Sequence, residues 1–329
     1  MKKIVLVLWF ILLVCSGCNN KPEIKEITSV NNSDAKFDVE YKEWDGGDTV
    51  HIVHYYELNN AYMNDGRIAF LGYDIFDNQT ISLKSIECIN DKYITSTIFE
   101  GDLPERTAND VICLKYDPKI NKAYLHTFPM KYEDNLTVYD IENDSKKEFL
   151  IIDLIGEYEE ITTYSFQEKD NIIYWIYSKR KKNSNEKKMY LTTLTLNKDK
   201  AGKEKELNIK ESEYLNSDEK YVYVQKDDCI VLFDRYTFKE CKSIRVLDGK
   251  MKFPSVSRYN DNIYLIGDDF KLYKYDLVKD ELTMLLELDS KYNEYNSLTA
   301  LSDEYFYAVA VEIEAESGIY CSSVYIKQK

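Results

Sequence analysis

The segment "SDEKYVYVQKDDCIVLFDRYT", residues 217–237, contains the pattern that decides the fold. A polar turn around Asp218 is followed by alternating Tyr and Val residues, and a second apolar run then ends on "FD" at Asp234. Tyr, Val, Ile and Phe at a period of two residues are typical of a strand that lies half-buried in a pleated sheet. The segment therefore predicts a pair of short strands, each bounded by a turn that contains an aspartate.

This pattern returns along the chain at a nearly constant interval. Five copies of the first turn carry an aspartate, and the last three are 43 and 42 residues apart: Asp91, Asp170, Asp218, Asp261 and Asp303. Four copies of the second run also end on an aspartate, in pairs 43 and 42 residues apart: Asp74 and Asp117, then Asp234 and Asp276. Asp140 breaks this spacing. A period of ~40–45 residues with about four short strands is typical of a β-propeller blade.

An apolar strand that ends on "YD" or "FD" before a polar turn resembles the repeats of WD-repeat and quinoprotein-like β-propellers. The resemblance is clear over residues 218–329 and weak over residues 60–210. It implies a ring of small sheets that bury their faces against one another, and it implies no activity. The core of about 293 residues predicts seven blades of this period. A six-bladed ring with a long insertion near residues 125–160 and a pair of β-sandwiches are the alternatives.

The last repeat is one strand short. Its predicted strands lie near residues 305–314 and 318–327, after which the chain ends. The segment "FDVEYKEW", residues 37–44, alternates in the same way and precedes the first repeat. We expect it to supply the outer strand of the last blade, which would remove an exposed sheet edge. A frayed start of the domain is the alternative.

The N-terminus has the layout of a secretory signal. Two lysines precede an apolar run at residues 4–14, which is shorter than the roughly 20 residues that a spanning helix needs. The run leads to "CSGC", residues 15–18, which resembles the lipobox of bacterial lipoproteins, although that family usually has Leu or Val where Cys15 stands. The resemblance implies cleavage after Gly17 and a diacylglyceryl group on the thiol of Cys18. An ordinary cleaved signal is the alternative.

These features divide the chain into three parts. We expect a lipoprotein signal peptide at residues 1–17, a flexible tether at residues 18–36 and the propeller at residues 37–329. The tether is rich in Asn, Lys, Glu and Ser and too poor in apolar side chains to offset the entropy of ordering. Because two or more acyl chains anchor stably, we expect the protein at the cell membrane, lipid-anchored on the extracytoplasmic face.

The charge of the chain argues against nucleic acid as a partner. Lys and Arg number 43 and Asp and Glu 58, which gives a net charge of −15. An acidic surface repels phosphodiester backbones. The basic run at residues 179–182 is predicted to lie in a solvated hairpin loop that ends at Lys188.

Five cysteines remain once Cys15 has left with the signal and Cys18 is acylated. They lie in or beside apolar runs, where cysteine commonly serves as a small buried hydrophobe: Cys88, Cys113, Cys229, Cys241 and Cys321. No CxxC spacing occurs among them. A disulfide between Cys229 and Cys241, which flank one predicted hairpin, stays open because export permits it.

Residue types that carry catalysis or bind metals are sparse. His51 and His54 are three residues apart on a predicted strand, so their side chains point to opposite faces and cannot bind one ion. We assign His126 a structural role. The sequence has neither a G-x-S-x-G elbow nor a glycine-rich phosphate loop. We therefore expect no catalytic residue, no bound metal and no cofactor.

Two sets of residues keep a ligand-binding alternative open. Acidic clusters could offer oxygen ligands to calcium, although turn formation is the preferred interpretation: residues 45–48, 227–228 and 268–269. Aromatic side chains could line a glycan or peptide surface, although blade packing is preferred: Trp44, Tyr55, Tyr56 and Trp175.

The sequence favours a binding or scaffold module over an enzyme. The anchor and the repeat indicate a tethered ring that presents its loops to an envelope protein, peptide or glycan. The alternative is an envelope hydrolase or lyase with paired carboxylates of unlike pKa near the ring axis. A metal-dependent ligand binder is a third hypothesis.

Overall fold

The structure, a computed structural model, describes residues 24–31, 35–43, 51–52, 61–64, 67–76, 80–89, 92–102, 110–128, 134–198, 200–247, 255–314 and 318–329. Within these ranges the chain forms 28 strands, one short helix, α1 (Ile151–Ile155), and one helical turn, Glu211–Glu213. Neither helical segment in this part of the chain has the length and apolar character that a membrane span needs. The predicted all-β class is confirmed.

The strands fall into an N-terminal group and six small sheets, which we number I to VI in chain order. The N-terminal strands are β1 (Ile24–Ile27), β2 (Val30–Asn31) and β3 (Phe37–Glu43). Sheet I contains β4 (His51–Ile52), β5 (Ala61–Asn64), β6 (Arg67–Phe76), β7 (Thr80–Ile89) and β8 (Lys92–Asp102). Sheet II contains β9 (Asp110–Asp117), β10 (Lys122–Phe128), β11 (Asn135–Asp140) and β12 (Ser145–Leu150).

The remaining sheets repeat this meander. Sheet III contains β13 (Glu160–Lys169), β14 (Ile172–Arg180), β15 (Lys187–Thr195), β16 (Lys200–Ala201) and β17 (Lys205–Glu206). Sheet IV contains β18 (Tyr214–Ser217), β19 (Tyr221–Lys226), β20 (Cys229–Asp234) and β21 (Glu240–Val246). Sheet V contains β22 (Ser255–Tyr259), β23 (Asn262–Ile266), β24 (Lys271–Asp276) and β25 (Glu281–Glu287). Sheet VI contains β26 (Glu294–Ala300), β27 (Tyr305–Glu314) and β28 (Gly318–Gln328).

Consecutive sheets pack face to face. Each of five buried clusters is shared by two successive sheets. One residue from each side illustrates each interface, from I/II to V/VI: Leu83 and Leu125, Leu136 and Trp175, Met189 and Val222, Leu232 and Leu265, Leu272 and Phe306. A small sheet that buries both faces only against neighbouring sheets is the unit of a β-propeller. The predicted propeller architecture is confirmed.

The number of blades differs from the prediction. Sheets II to VI are five regular blades that begin with one continuous strand, whereas the first strand of sheet I is divided into β4 and β5, which both pair with β6. The prediction of seven blades is therefore wrong, and six regular blades are not found in the described residues either. First strands begin at residues 110, 160, 214, 255 and 294, so a period of ~42 residues holds only in the second half of the chain.

Aspartates close the outer hairpin of three sheets in the same way. Each carboxylate accepts the main-chain N–H of a residue two or three positions further on: Asp140, Asp234 and Asp276. Asp140, which broke the predicted spacing, is thus the counterpart of Asp234 and Asp276. Asp117 instead ends the first strand of sheet II, and Asp74 lies within β6. The long strands and connections of sheet III displaced the spacing on which the sequence pattern relied.

An N-terminal strand completes the last blade, as predicted. β3 pairs antiparallel with β28 along its whole length. Phe37, Val39 and Tyr41 pack against the cluster that sheets V and VI share. The main-chain N–H of Lys329 also donates to the main-chain oxygen of Lys36 at 2.9 Å. The outer edge of sheet VI is therefore covered by residues far away in sequence.

Two shorter strands lie in the segment that was predicted to be a flexible tether. β1 pairs parallel with β21 of sheet IV, and β2 pairs parallel with β25 of sheet V. Ile27 is buried between these sheets. Residues 24–31 are therefore part of the fold, which extends at least to residue 24 rather than starting at residue 37. Main-chain hydrogen bonds supply this pairing, so the polar composition of the segment did not reveal it.

Candidate functional site

The innermost strands carry small polar side chains that join one blade to the next. Ser217 Oγ donates to Ser165 Oγ at 2.7 Å, between sheets IV and III. Asn216 Nδ2 donates to the main-chain oxygen of Val256 at 2.6 Å, between sheets IV and V. Serines of sheet V accept main-chain N–H groups of sheet VI: Ser255 and Ser257. Most buried polar side chains of the described first strands are thus hydroxyls and an amide that are used in blade joints, whereas Thr299 donates to the main-chain oxygen of Ser297 in its own strand.

A fully buried arginine joins sheets III and IV. Arg235 Nη2 donates to Ser165 Oγ at 2.5 Å and to the main-chain oxygen of Tyr174 at 3.1 Å. Burial lowers the pKa of Arg235 to about 10, so the guanidinium stays charged at neutral pH. Arg235 directly follows Asp234 in a turn of polar residues, so its sequence position did not predict that it is buried. The sequence interpretation missed this residue.

A second buried polar cluster lies between sheets II and III. His126 Nδ1 is 2.9 Å from Thr163 Oγ1, which also accepts a hydrogen bond from Trp175 Nε1 at 3.1 Å. Tyr158 donates to Asp134 Oδ2 at 2.7 Å, and this oxygen is 4.0 Å from His126 Nε2. Burial lowers the pKa of His126 to about 3, so the ring is neutral. Because Thr163 is held by Trp175 and His126 inside the interface, this group acts as a joint between sheets.

The repeated aspartates do more than form turns. Asp218 Oδ2 on sheet IV accepts from Arg258 Nε on sheet V at 2.7 Å. Asp303 Oδ1 on sheet VI accepts from the Tyr264 hydroxyl on sheet V at 2.7 Å. The interval of about one blade between the partners reflects the repeat period. These carboxylates are therefore side-chain links between neighbouring blades.

Charged side chains from several turns meet at one end of the ring. Lys119 and Glu219 lie in the turns that follow the first strands of sheets II and IV, and Lys169 is the last residue of the first strand of sheet III. Arg258 Nη2 donates to Glu219 Oε1 at 2.6 Å, and Lys169 Nζ lies 4.5 Å from the ring centroid of Tyr236. We call this set, Lys119, Lys169, Glu219, Tyr236 and Arg258, the turn face.

Cations of neighbouring turns favour the charged form of Glu219. Burial raises the pKa of Glu219, but its own main-chain N–H, the guanidinium of Arg258 and the ammonium of Lys119 outweigh burial and leave the pKa lowered. Lys119 and Glu219 belong to sheets II and IV, with sheet III between them in chain order. Since the first turns of stacked sheets lie at the same end of a propeller, a partner could contact several of them at once.

Several residues singled out in the sequence have structural roles. Trp175 is fully buried. Asp228 Oδ2 pairs with Arg245 Nε at 2.9 Å, and Asp269 accepts from the Tyr273 hydroxyl at 2.6 Å. Among the described side chains no group of three or more His, Cys, Asp or Glu residues is arranged to hold a metal ion.

The cysteine pair does not form a disulfide. Cys229 and Cys241 are both free thiols. Cys229 begins β20 and lies opposite Arg245, whereas Cys241 lies beside the turn at the other end of the same hairpin. The two residues flank the hairpin in sequence but are separated along its length.

The basic run is only partly a solvated loop. Lys179 belongs to β14 and is buried, and its Nζ donates to the main-chain oxygen of Ile155 at 2.7 Å. It also pairs with Glu204 Oε1 at 2.6 Å. The prediction of a solvated position is wrong for Lys179, because helix α1 and the segment around Glu204 cover it.

Other predicted positions lie outside the described residues. These are the signal, with Gly17 and Cys18, and a second group of residues: Trp44, residues 45–48, His54, Tyr55 and Tyr56. His51, Cys88, Cys113 and Cys321 are placed on strands β4, β7, β9 and β28, and only their backbone is described.

Comparison with known proteins gives a distant likeness to a solved structure. No protein-family model matches the chain, and no curated protein matches it. Among solved structures the chain is similar to BamB from Moraxella catarrhalis, with a TM-score of 0.41 and 10% sequence identity over 84% of this chain and 99% of that chain. At this TM-score the likeness carries no argument, and the propeller assignment rests on the stacked sheets.

Proposed function

We propose that the protein is a lipid-anchored lipoprotein on the extracytoplasmic face of the cell membrane, where it acts as a binding or scaffold module for an envelope protein, peptide or glycan. The observation that carries the proposal is the turn face, where charged and aromatic side chains from sheets II to V converge. Such a surface recognises a partner through complementary charge and aromatic contact.

The geometry beneath the turn face favours a module over an enzyme. A hydrolase or lyase of the proposed kind needs two carboxyls of unlike pKa near the axis. The described first strands instead place Ser165, Asn216, Ser217 and Ser257 there, and their polar atoms join the blades. The hydrolase alternative gains no support from these residues.

A charge swap on the turn face tests the binding function. The double variant Lys169→Glu with Glu219→Lys keeps the net charge and inverts the local pattern. We expect it to weaken capture of the envelope partner about tenfold, which corresponds to about 1.4 kcal/mol. The control swap is Lys182→Glu with Glu157→Lys. These two residues form an exposed ion pair, with 3.7 Å between Nζ and Oε2, and they are not part of the turn face. Equal capture by both double variants would contradict the proposed binding face.

Labelling with a palmitate analogue tests the anchor. The full chain is expected to carry the label and to sediment with membranes, because two or more acyl chains bind a bilayer stably. Cys18→Ala should lose the label and remain in the unprocessed or soluble fraction. Cys15→Ala is the matched control and should keep the label. Label on the Cys18→Ala protein would overturn the assignment of the lipid to this thiol.

A further inference from the structure

We propose that the outer edge of sheets IV and V faces the lipid bilayer and that its exposed apolar side chains contact the lipid surface. This edge carries β1 and β2, and we call it the strapped rim. Its exposed apolar side chains are Ile24, Val30, Leu247 and Val278. The inference rests on the lipid anchor of the proposed function and adds an orientation of the ring to it.

The first argument is the reach of the chain between the anchor and the fold. Cys18 and Ile24 are six positions apart, so the chain between them spans at most about 20 Å when fully extended. A propeller of this size is about 50 Å across. The chain is therefore too short to let the opposite side of the ring reach the membrane.

The second argument is that β1 is firmly attached at its place on the ring. All four of its residues pair with β21, and Ile27 is buried in the cluster shared by sheets IV and V. Glu26 Oε1 accepts from Arg245 Nη1 at 3.0 Å, and Lys25 Nζ lies 3.5 Å from Asp280 Oδ2. The anchor chain thus meets the fold at one defined point on the outer edge.

The third argument is the surface around that point. Val278, in the turn before β25, is 75% exposed, Val30 65%, Leu247 53% and Ile24 45%. These are four of the eight large apolar side chains that are exposed in the described part of the chain. Single exposed apolar residues are common, but this group lies where the anchor brings the ring to the lipid. A short connection raises the effective concentration of the strapped rim at the bilayer surface. Weak apolar contacts are therefore enough to keep the rim on the lipid.

The charge of the chain indicates that apolar side chains, rather than basic ones, make the main contact with the lipid surface. The chain is acidic, with a net charge of −15, so attraction to anionic headgroups does not drive the approach. Exposed Lys25 and Lys279 on the strapped rim can meet headgroup phosphates, while the valine and leucine side chains enter the boundary with the acyl chains. The chemistry therefore points to a lipid surface as the occupant.

Photo-crosslinking from single positions tests this orientation. The acylated protein is reconstituted into phosphatidylcholine vesicles with the photoreactive residue benzoylphenylalanine in place of Val278. The matched control replaces Leu150, which is exposed at the outer edge of sheet II. We expect lipid adducts, detected by mass spectrometry, from the protein substituted at position 278. The yield of adducts from the protein substituted at position 150 should be much lower. Tm measurements confirm that both substituted proteins are folded.

The outcomes separate the orientation from the anchor. A protein that does not sediment with the vesicles contradicts the proposed anchor before any irradiation. Sedimentation with equal adduct yields at positions 278 and 150, or with adducts at position 150 alone, overturns the strapped rim as the membrane-facing edge. Adducts confined to position 278 support it.

Discussion

At the scale of single residues, equivalent positions in the repeat differ in their effect on stability because their surroundings differ. Asp218 and Asp261 occupy the same place in two successive repeats. Asp218 is largely buried and accepts from Arg258 and from the Tyr223 hydroxyl, at 2.7 and 2.5 Å. Asp261 is exposed, and its ion-pair contact is Lys220 Nζ at 4.0 Å. Removing a buried carboxylate that pairs with an arginine costs far more stability than removing an exposed one.

This difference gives a matched pair of substitutions. Asp218→Asn should lower the free energy of unfolding by about 2 kcal/mol, since the largely buried Nε of Arg258 loses its carboxylate acceptor while Glu219 still pairs with Nη2. Asp261→Asn should cost less than about 0.5 kcal/mol. Urea denaturation of both variants measures the difference. Similar losses in the two variants would show that Asp218 does not link the blades.

His126 predicts how stability depends on pH. The unfolded chain binds a proton at this residue near pH 6.5, while burial lowers the folded pKa to about 3. The unfolded state therefore holds more protons in this window, and stability falls as the pH drops through it. Burial raises the pKa of the neighbouring Asp134, which acts in the opposite direction and makes Asp134→Asn the necessary control.

The expected loss for His126 is about 2 kcal/mol between pH 7.5 and pH 5. His126→Gln keeps a hydrogen-bonding side chain and removes the titration. The difference in the free energy of unfolding between pH 7.5 and pH 5 should therefore shrink by about 2 kcal/mol. Unfolding in urea at the two pH values measures it. An unchanged pH dependence in the glutamine variant would assign the effect to other groups.

At the scale of elements, the N-terminal strands cover outer edges to different extents. β3 completes sheet VI with seven paired residues and packs Phe37, Val39 and Tyr41 onto its neighbours. β1 and β2 contribute main-chain pairing and bury mainly Ile27. An uncovered strand edge invites pairing with other chains, so β3 protects the ring more than β1 and β2 do.

Two truncations separate these contributions. A chain that starts at residue 32 should lose about 2 kcal/mol, the value of burying one isoleucine side chain, and stay monomeric. A chain that starts at residue 44 should lose several times more and aggregate, because the apolar partners of β3 are exposed. Thermal unfolding and light scattering measure both effects. A monomeric, stable chain lacking β3 would show that this strand does not protect the outer edge of sheet VI.

At the scale of the whole molecule, the ring behaves as a set of interfaces rather than separate blades. Each sheet is buried against its neighbours through shared clusters, so a loss at one interface should be felt at others. The β-sandwich pair considered from the sequence would instead unfold as independent units.

A remote core substitution tests this cooperation. Leu265 lies in the cluster of sheets IV and V, and in a background with Trp9→Phe and Trp44→Phe the remaining Trp175 reports on the interface of sheets II and III. Leu265→Ala should lower stability by about 3 kcal/mol and shift the transition seen by tryptophan fluorescence and by circular dichroism together. A shift in circular dichroism alone would mean that the blades unfold separately.

The sequence by itself determined the strand class, the turn aspartates and the strand that completes the last blade. These follow from local alternation and turn chemistry, which "YVYV" and "LFD" display within a few residues. The tertiary structure decided the number of blades, the burial of Lys179 and Arg235 and the pairing of β1 and β2. Those outcomes depend on contacts between residues distant in sequence, where long connections shift the period and main-chain pairing leaves no mark on composition.

The candidate site divides in the same way. The turns that carry Lys169, Glu219 and Asp261 were recognisable as polar turns, since Asp and Asn form them with their own side chains. The sequence did not reveal that these turns lie at the same end of the ring, because that arrangement requires consecutive sheets to stack around one axis. Local chemistry therefore specified the parts of the surface, and the stacking of consecutive sheets placed these turns at one end of the ring, where the charge of Lys119 acts on Glu219.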